Sequence, residues 1–167
     1  DPVNKSRPIV SYFNHPFHIF LRVAGRALWF ILKELQHKNI VQSWSQFTID
    51  EHIQKLRELN ACPGMFFQGD VKNMYTNVPH MELKKCIDWI IELAEKFLPT
   101  SQGINVPFGK KAKGTHFGKS KKHQVYETFA HLSLMDLKEI LKFDIHNIYI
   151  KIGDKVLQQC TGIPMGS

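Results

Sequence analysis

Asp70 stands in "GDVKNMYTNVPH", residues 69–80, directly after the apolar run "MFFQ". A carboxylate at the C-terminal end of a buried strand points into whatever groove lies above the sheet. Its oxygens are hard ligands of the kind that phosphoryl transfer by two divalent ions requires. An Asp in this setting serves equally well as a turn former or helix cap, and one carboxylate does not make a two-metal site. Five residues on, Tyr75 can be swung by a tight turn back over the same groove. A flat ring there would stack beneath a sugar and collide with a 2′-hydroxyl; the same ring would also serve to anchor the turn to the core. Arg7, in "KSRPIVS", has the planar fork that grips a triphosphate bidentately, or it is a solvated surface arginine. In "TGIPMGS", residues 161–167, Gly162 and Gly166 allow close backbone approach to a ligand and Pro164 stiffens the bend. Any hairpin-to-helix junction uses such residues.

A second kind of chemistry is electrostatic. The formal net charge is +7, and Lys110, Lys111, Lys113, Lys119, Lys121 and Lys122 in "GKKAKGTHFGKSKKH", residues 109–123, supply all but one unit of it without a single acid. The chain is thus a nearly neutral body carrying one very basic segment. Such a segment neutralises phosphates, or it is a solvated loop with no partner.

These residues need elements to hold them. Apolar residues Phe20, Leu21, Ala24, Leu28, Ile31, Leu32 and Leu35 recur at helical spacing and predict a long helix from Phe17 to about Lys38, with Arg22, Arg26, Lys33 and Glu34 on the wetter side. A shorter helix is expected over about 50–59, with Thr48 and Glu51 as a capping box, and short strands in "RPIVSYF" and at 65–68. Pro79 suits a first helical turn. Leu83, Ile87, Ile90, Ile91, Ala94 and Phe97 carry that helix to about Leu98. Residues 99–124 read as loop or weak hairpin. Phe129, Leu132, Leu137, Ile140 and Leu141 predict a helix over roughly 125–142, and "NIYIKIGDKVLQQ" predicts two strands around Gly153-Asp154. A mixed α/β (α+β) fold with a small antiparallel sheet follows.

The size of 167 residues and 43% hydrophobic content suit one domain with a real core and argue against disorder. Cys62, Cys86 and Cys160 are too few and too scattered for a disulfide scaffold, which favours a reducing intracellular setting. No apolar run reaches membrane-spanning length.

Taken in order, the three segments that carry Arg7, Asp70 with Tyr75, and Gly162 with Gly166 resemble the fingers and palm of a reverse transcriptase, most closely those of Penelope-like retroelements. "KSRPIVS" resembles the family's fingers motif, and "GDVKNMYTNVPH" is similar to its first palm motif. The resemblance implies that Asp70 and the Val71 carbonyl ligate Mg²⁺, one of two ions, that Arg7 contacts nucleotide phosphates, and that Tyr75 excludes ribonucleotides. "QQCTGIPMGS" resembles the next motif, with Gln159, Gly162, Pro164, Met165, Gly166 and Ser167 matching. It implies template or primer contacts for Gln159, Gly162 and Pro164, and nucleotide contacts for Met165 and Gly166. Met165 replaces the Gln of many relatives and reads as a subgroup mark. On this resemblance 1–64 is fingers-like and 65–167 an incomplete palm, with 99–124 a basic insertion-like loop whose lysines are expected near the template–primer backbone or against another part of the enzyme. The expected partners are an RNA template, a DNA primer and deoxynucleoside triphosphates, in the nucleus, with no membrane. The family's paired aspartates and thumb would fall beyond Ser167, so the chain to Ser167 is expected not to polymerise by itself. Two other classes fit less well: an RNA-directed RNA polymerase, which would not want the Tyr75 gate, and an inactive nucleic-acid-binding module derived from a retroelement.

Overall fold

Helix α1, His18–His37, forms because its apolar and its long straight-chain residues alternate at helical spacing over five turns. The computed structural model that shows it describes residues 16–41, 53–54, 57–58, 77–108, 114–119 and 129–163. The helix stops in a Schellman arrangement. Asn39 takes the left-handed φ of 57°, its N–H donates to the Gln36 carbonyl, and the Ile40 N–H reaches back to Leu35. The buried stripe is Val23, Ala24, Ala27, Ile31 and Leu35. It is rotated from the expected one: Phe20 is 58% exposed, because the small Ala24 and Ala27 are what allow neighbouring elements to approach closely.

Helix α2, His80–Phe97, starts where "VP" predicts, but Pro79 is its N-cap in extended conformation rather than a residue of the first turn. The Pro79 carbonyl accepts from the N–H groups of Glu82 and Leu83. Glu82 in the first turn and Lys96 in the last complement the helix dipole. After Leu98 a short 3₁₀ turn, Thr100–Gln102, leads to Gly103 at φ +74°. A Cβ at Gly103 would come within 2.5 Å of His131 Cε1.

The segment expected as loop or weak hairpin contains strands. β1 (Ile104–Pro107) is the centre of an antiparallel sheet, between β2 (His116–Phe117) and β3 (Phe129–Leu132). Asn105 pairs with His116 on one side and His131 on the other. Ile104, Val106 and Leu132 turn inward. Phe129–Leu132 overturns the expected helix over 125–142: the helix, α3, begins only at Leu134 and runs to His146. Ser133 sets that boundary through a capping box. Its Oγ accepts from the Asp136 N–H at 3.0 Å, and Asp136 Oδ2 accepts from the Ser133 N–H at 2.8 Å.

β4 (Tyr149–Ile152) and β5 (Lys155–Gln158) make the expected hairpin, with Gly153 at φ +59° in its two-residue turn. Among the described residues the molecule is a small α+β domain: three helices packed against a partial antiparallel sheet around one core. α1 shares that core with α2, α3 and β1. Ile53, Gln54, Arg57 and Glu58 are helical, and the rest of the segment 50–59 lies outside the described residues, as do the strands expected in "RPIVSYF" and "MFFQ". No helix among the described residues is long and apolar enough to cross a membrane.

Candidate functional site

Two of the segments singled out for chemistry meet. The chain entering α2 lies against the turn that follows β5, and Pro79 and Thr161 form an isolated antiparallel bridge. The Gly162 N–H donates to the Val78 carbonyl at 2.8 Å. Thr161 Oγ1 reaches the same carbonyl at 3.4 Å. His80, the first residue of α2, donates from Nε2 to the Gly162 carbonyl at 2.8 Å. A carbonyl only accepts, so Nε2 carries the proton. Gly162 is buried and holds φ at +80°, the left-handed region in which a Cβ is costly.

Gln159 braces the same turn. Its N–H donates to the Ile148 carbonyl, and its side-chain amide donates to the Thr161 carbonyl, both at 2.8 Å. Gln158 adds a bond from Nε2 to the His146 carbonyl at 2.7 Å, which ties the hairpin to the end of α3. The glycine is legible in sequence as a special position; its partners, the Val78 carbonyl and His80, are not. The only sequence signal for them is a polar ring placed directly after a helix-starting proline.

Gln159 and Gly162 are therefore brought beside the C-terminal end of "GDVKNMYTNVPH". Lys119 is not: it stands exposed just past β2. Arg7, Asp70, Val71, Tyr75, Pro164, Met165, Gly166, Ser167, Lys110, Lys111, Lys113, Lys121 and Lys122 lie outside the described residues. No group of three or more His, Cys, Asp or Glu side chains among the described residues is arranged to hold a metal ion. No protein-family model, curated protein or solved structure matches the chain.

Asp88 and Asp136, among the aspartates after Asp70, have structural work, and the Asp144 carbonyl accepts from the Asn147 N–H at 3.1 Å. Asp88 on α2 is held between Lys138 and Lys142 of α3, with Oδ1 2.7 Å from each ammonium group. The hydrogen bond from Lys138, and then that from Lys142, keeps its carboxyl below the usual aspartate range. Asp136 is the capping partner of Ser133, whose hydroxyl and N–H likewise lower its pKa. Asp154 sits in the exposed β4–β5 turn. A cleft of about 440 Å³ between the start of α1 and α3 is lined by Phe17, Phe20, Leu21, Ile140 and Phe143, with Asp136 and Glu139 as its acids. It pairs no nucleophile with a base. The described part of the junction holds the two segments in register through its backbone.

Proposed function

We propose that this chain is the fingers and part of the palm of a reverse transcriptase, adding deoxynucleotides to a primer 3′ end on an RNA template. What supports the reading is the junction of Val78, Pro79 and His80 with Thr161 and Gly162. Two segments about 80 residues apart, each resembling a palm motif, lie side by side through hydrogen bonds from a buried left-handed glycine. In a polymerase palm the first segment carries the metal-binding carboxylate and the second supports template and nucleotide, so adjacency is what the chemistry needs.

Asp70, with the Val71 carbonyl and an acid pair from further along the protein, would hold two Mg²⁺ ions, and the chemistry supplied there would be activation of the 3′-hydroxyl and charge stabilisation on the leaving pyrophosphate. Arg7 offsets charge on the incoming triphosphate. Tyr75 meets the sugar and rejects a 2′-hydroxyl. Asp88 and Asp136 do not complete the metal site, since each is committed to a helix contact. The test is primer extension on RNA by the full-length protein. Asp70→Ala is expected to reduce extension to background while leaving template binding in place. Tyr75→Ala is expected to raise ribonucleotide incorporation. Extension at an unchanged rate by Asp70→Ala overturns the proposal.

A further inference from the structure

The face of α1 opposite its core stripe has a composition that the polymerase reading does not use. Arg22, Arg26, Trp29, Lys33 and His37 follow one another at steps of four, three, four and four residues, so all five share one side of the helix. Val23, Ala24, Ala27, Ile31 and Leu35 occupy the other side. The acid of α1, Glu34, lies at the edge of the core side, on the arc of Val23 and Ala27, and is half-buried. Trp29 is 58% exposed, and Lys33 Nζ lies 5.8 Å from its ring centroid. Neither Arg22 nor Lys33 is in an ion pair among the described residues. A Cβ built at Gly25, one turn before Trp29, would meet nothing within 4 Å, so the surface there is open.

Two contacts tie described residues that border the lysine-rich part of the sequence to the flank of this face. Arg26 Nη1 donates to the Pro107 carbonyl at 2.6 Å and lies 3.5 Å from that of Phe108. Phe108 is followed in the sequence by Gly109, Lys110 and Lys111. Phe30 packs on Phe117 with ring centroids 4.9 Å apart, two residues before the exposed Lys119. One helix face thus joins cations, an exposed indole and the approach to the most basic stretch of the chain.

We infer that this face of α1 binds single-stranded nucleic acid, with Trp29 stacking on a base and Arg22, Lys33 and Lys119 meeting phosphates. The cations alone would suit any polyanion. The exposed indole selects a partner that offers flat rings, and a duplex keeps its base faces covered. The inference deepens the polymerase proposal, since a template is a single strand, but it rests on its own observations.

The experiment is fluorescence anisotropy of a labelled dT₁₂ or U₁₂ strand titrated with the chain, without Mg²⁺ or nucleotide. A 12-base-pair duplex and a polyglutamate peptide serve as competitors. Trp29→Ala is expected to weaken single-strand binding by about 5- to 150-fold, the range that removing one base–aromatic stack produces. Trp29→Phe should keep most of the affinity. Arg22→Gln with Lys33→Gln should reduce the slope of log K against log salt by about 1.4, roughly 0.7 for each phosphate no longer neutralised. Affinity unchanged in Trp29→Ala, with wild-type circular dichroism, overturns the inference. So does polyglutamate competing as well as the strand, which would make the face an acidic-protein site. The two proposals fail separately: a protein that binds dT₁₂ through Trp29 and extends no primer keeps this site and loses the polymerase. One that extends primers and ignores Trp29→Ala does the reverse.

Discussion

Replacing Gly162 by alanine tests the junction at its most constrained residue. Glycine holds φ at +80° there without strain, whereas an L side chain in the left-handed region costs about 1–2 kcal/mol. The alternative for alanine is to relax to negative φ. That would turn away the N–H bonded to Val78 and the carbonyl bonded to His80, and two such bonds are worth about 2 kcal/mol net. Both routes lead to the same loss, about 1–2 kcal/mol. In a chain of this size that lowers Tm by about 2–8 °C. Urea denaturation followed by circular dichroism reads the global loss, and amide exchange at Gly162 reads the local one. His80→Ala removes one of the same bonds, so the double variant should lose less than the sum of the singles. A wild-type urea midpoint together with a still-protected Gly162 amide would refute the view that this glycine locks the two segments together.

Three further outcomes are expected. Ser133→Ala removes the α3 capping box and should cost about 0.5–2 kcal/mol in urea unfolding, with Ser133→Asp recovering most of it. Gly103→Ala combines φ +74° with a Cβ that would press on the His131 ring and the Leu132 carbonyl; a loss above about 2 kcal/mol is expected, and His131→Ala should restore part of it. Asp88→Asn tests pH linkage. Because Lys138 and then Lys142 lower the folded pKa of Asp88, its contribution is present above the ordinary aspartate value and is lost as pH falls through the lowered one. The variant should therefore be less stable than wild type at pH 7, with the difference shrinking toward pH 2; a pH-independent difference would contradict this.

The parts of the fold that are legible in sequence are those specified by local pattern. The extents of α1 and α2 follow from apolar spacing and Pro79, and the β4–β5 hairpin follows from Gly153-Asp154. The helix expected over 125–142 fails at Phe129–Leu132 because Phe129 and Leu132 fall on helical spacing with Leu137 and Ile140 by coincidence. The boundary lies in Ser133-x-x-Asp136, a capping signal inside an apolar pattern. β2 has only His116 and Phe117, too few residues for any period, and exists because β1 offers an edge. Arg26 has the composition of a wet-side residue, yet it is half-buried against the Pro107 carbonyl, a partner 81 positions away. In the candidate site, the need for glycine at 162 is readable from its setting. That the need is set by Val78 and His80 is not, since nothing local to either segment specifies the other.

The junction also says something about the order in which the molecule assembles. Val78 and Thr161 are 83 positions apart, and closing a flexible loop of that length costs about 4 kcal/mol in chain entropy beyond a constant. The three hydrogen bonds that join the segments return about 3 kcal/mol net. They cannot draw the ends together unaided. The closure depends on α2 and α3, which already meet through Asp88 and Lys142 at a separation of 54 and bury Ile91, Ala94 and Leu137 between them. Once those helices have docked, only a short span is left to close. The meeting of the two segments is thus a late step in folding. It is also an early one in unfolding, able to part while the helices behind it stay packed.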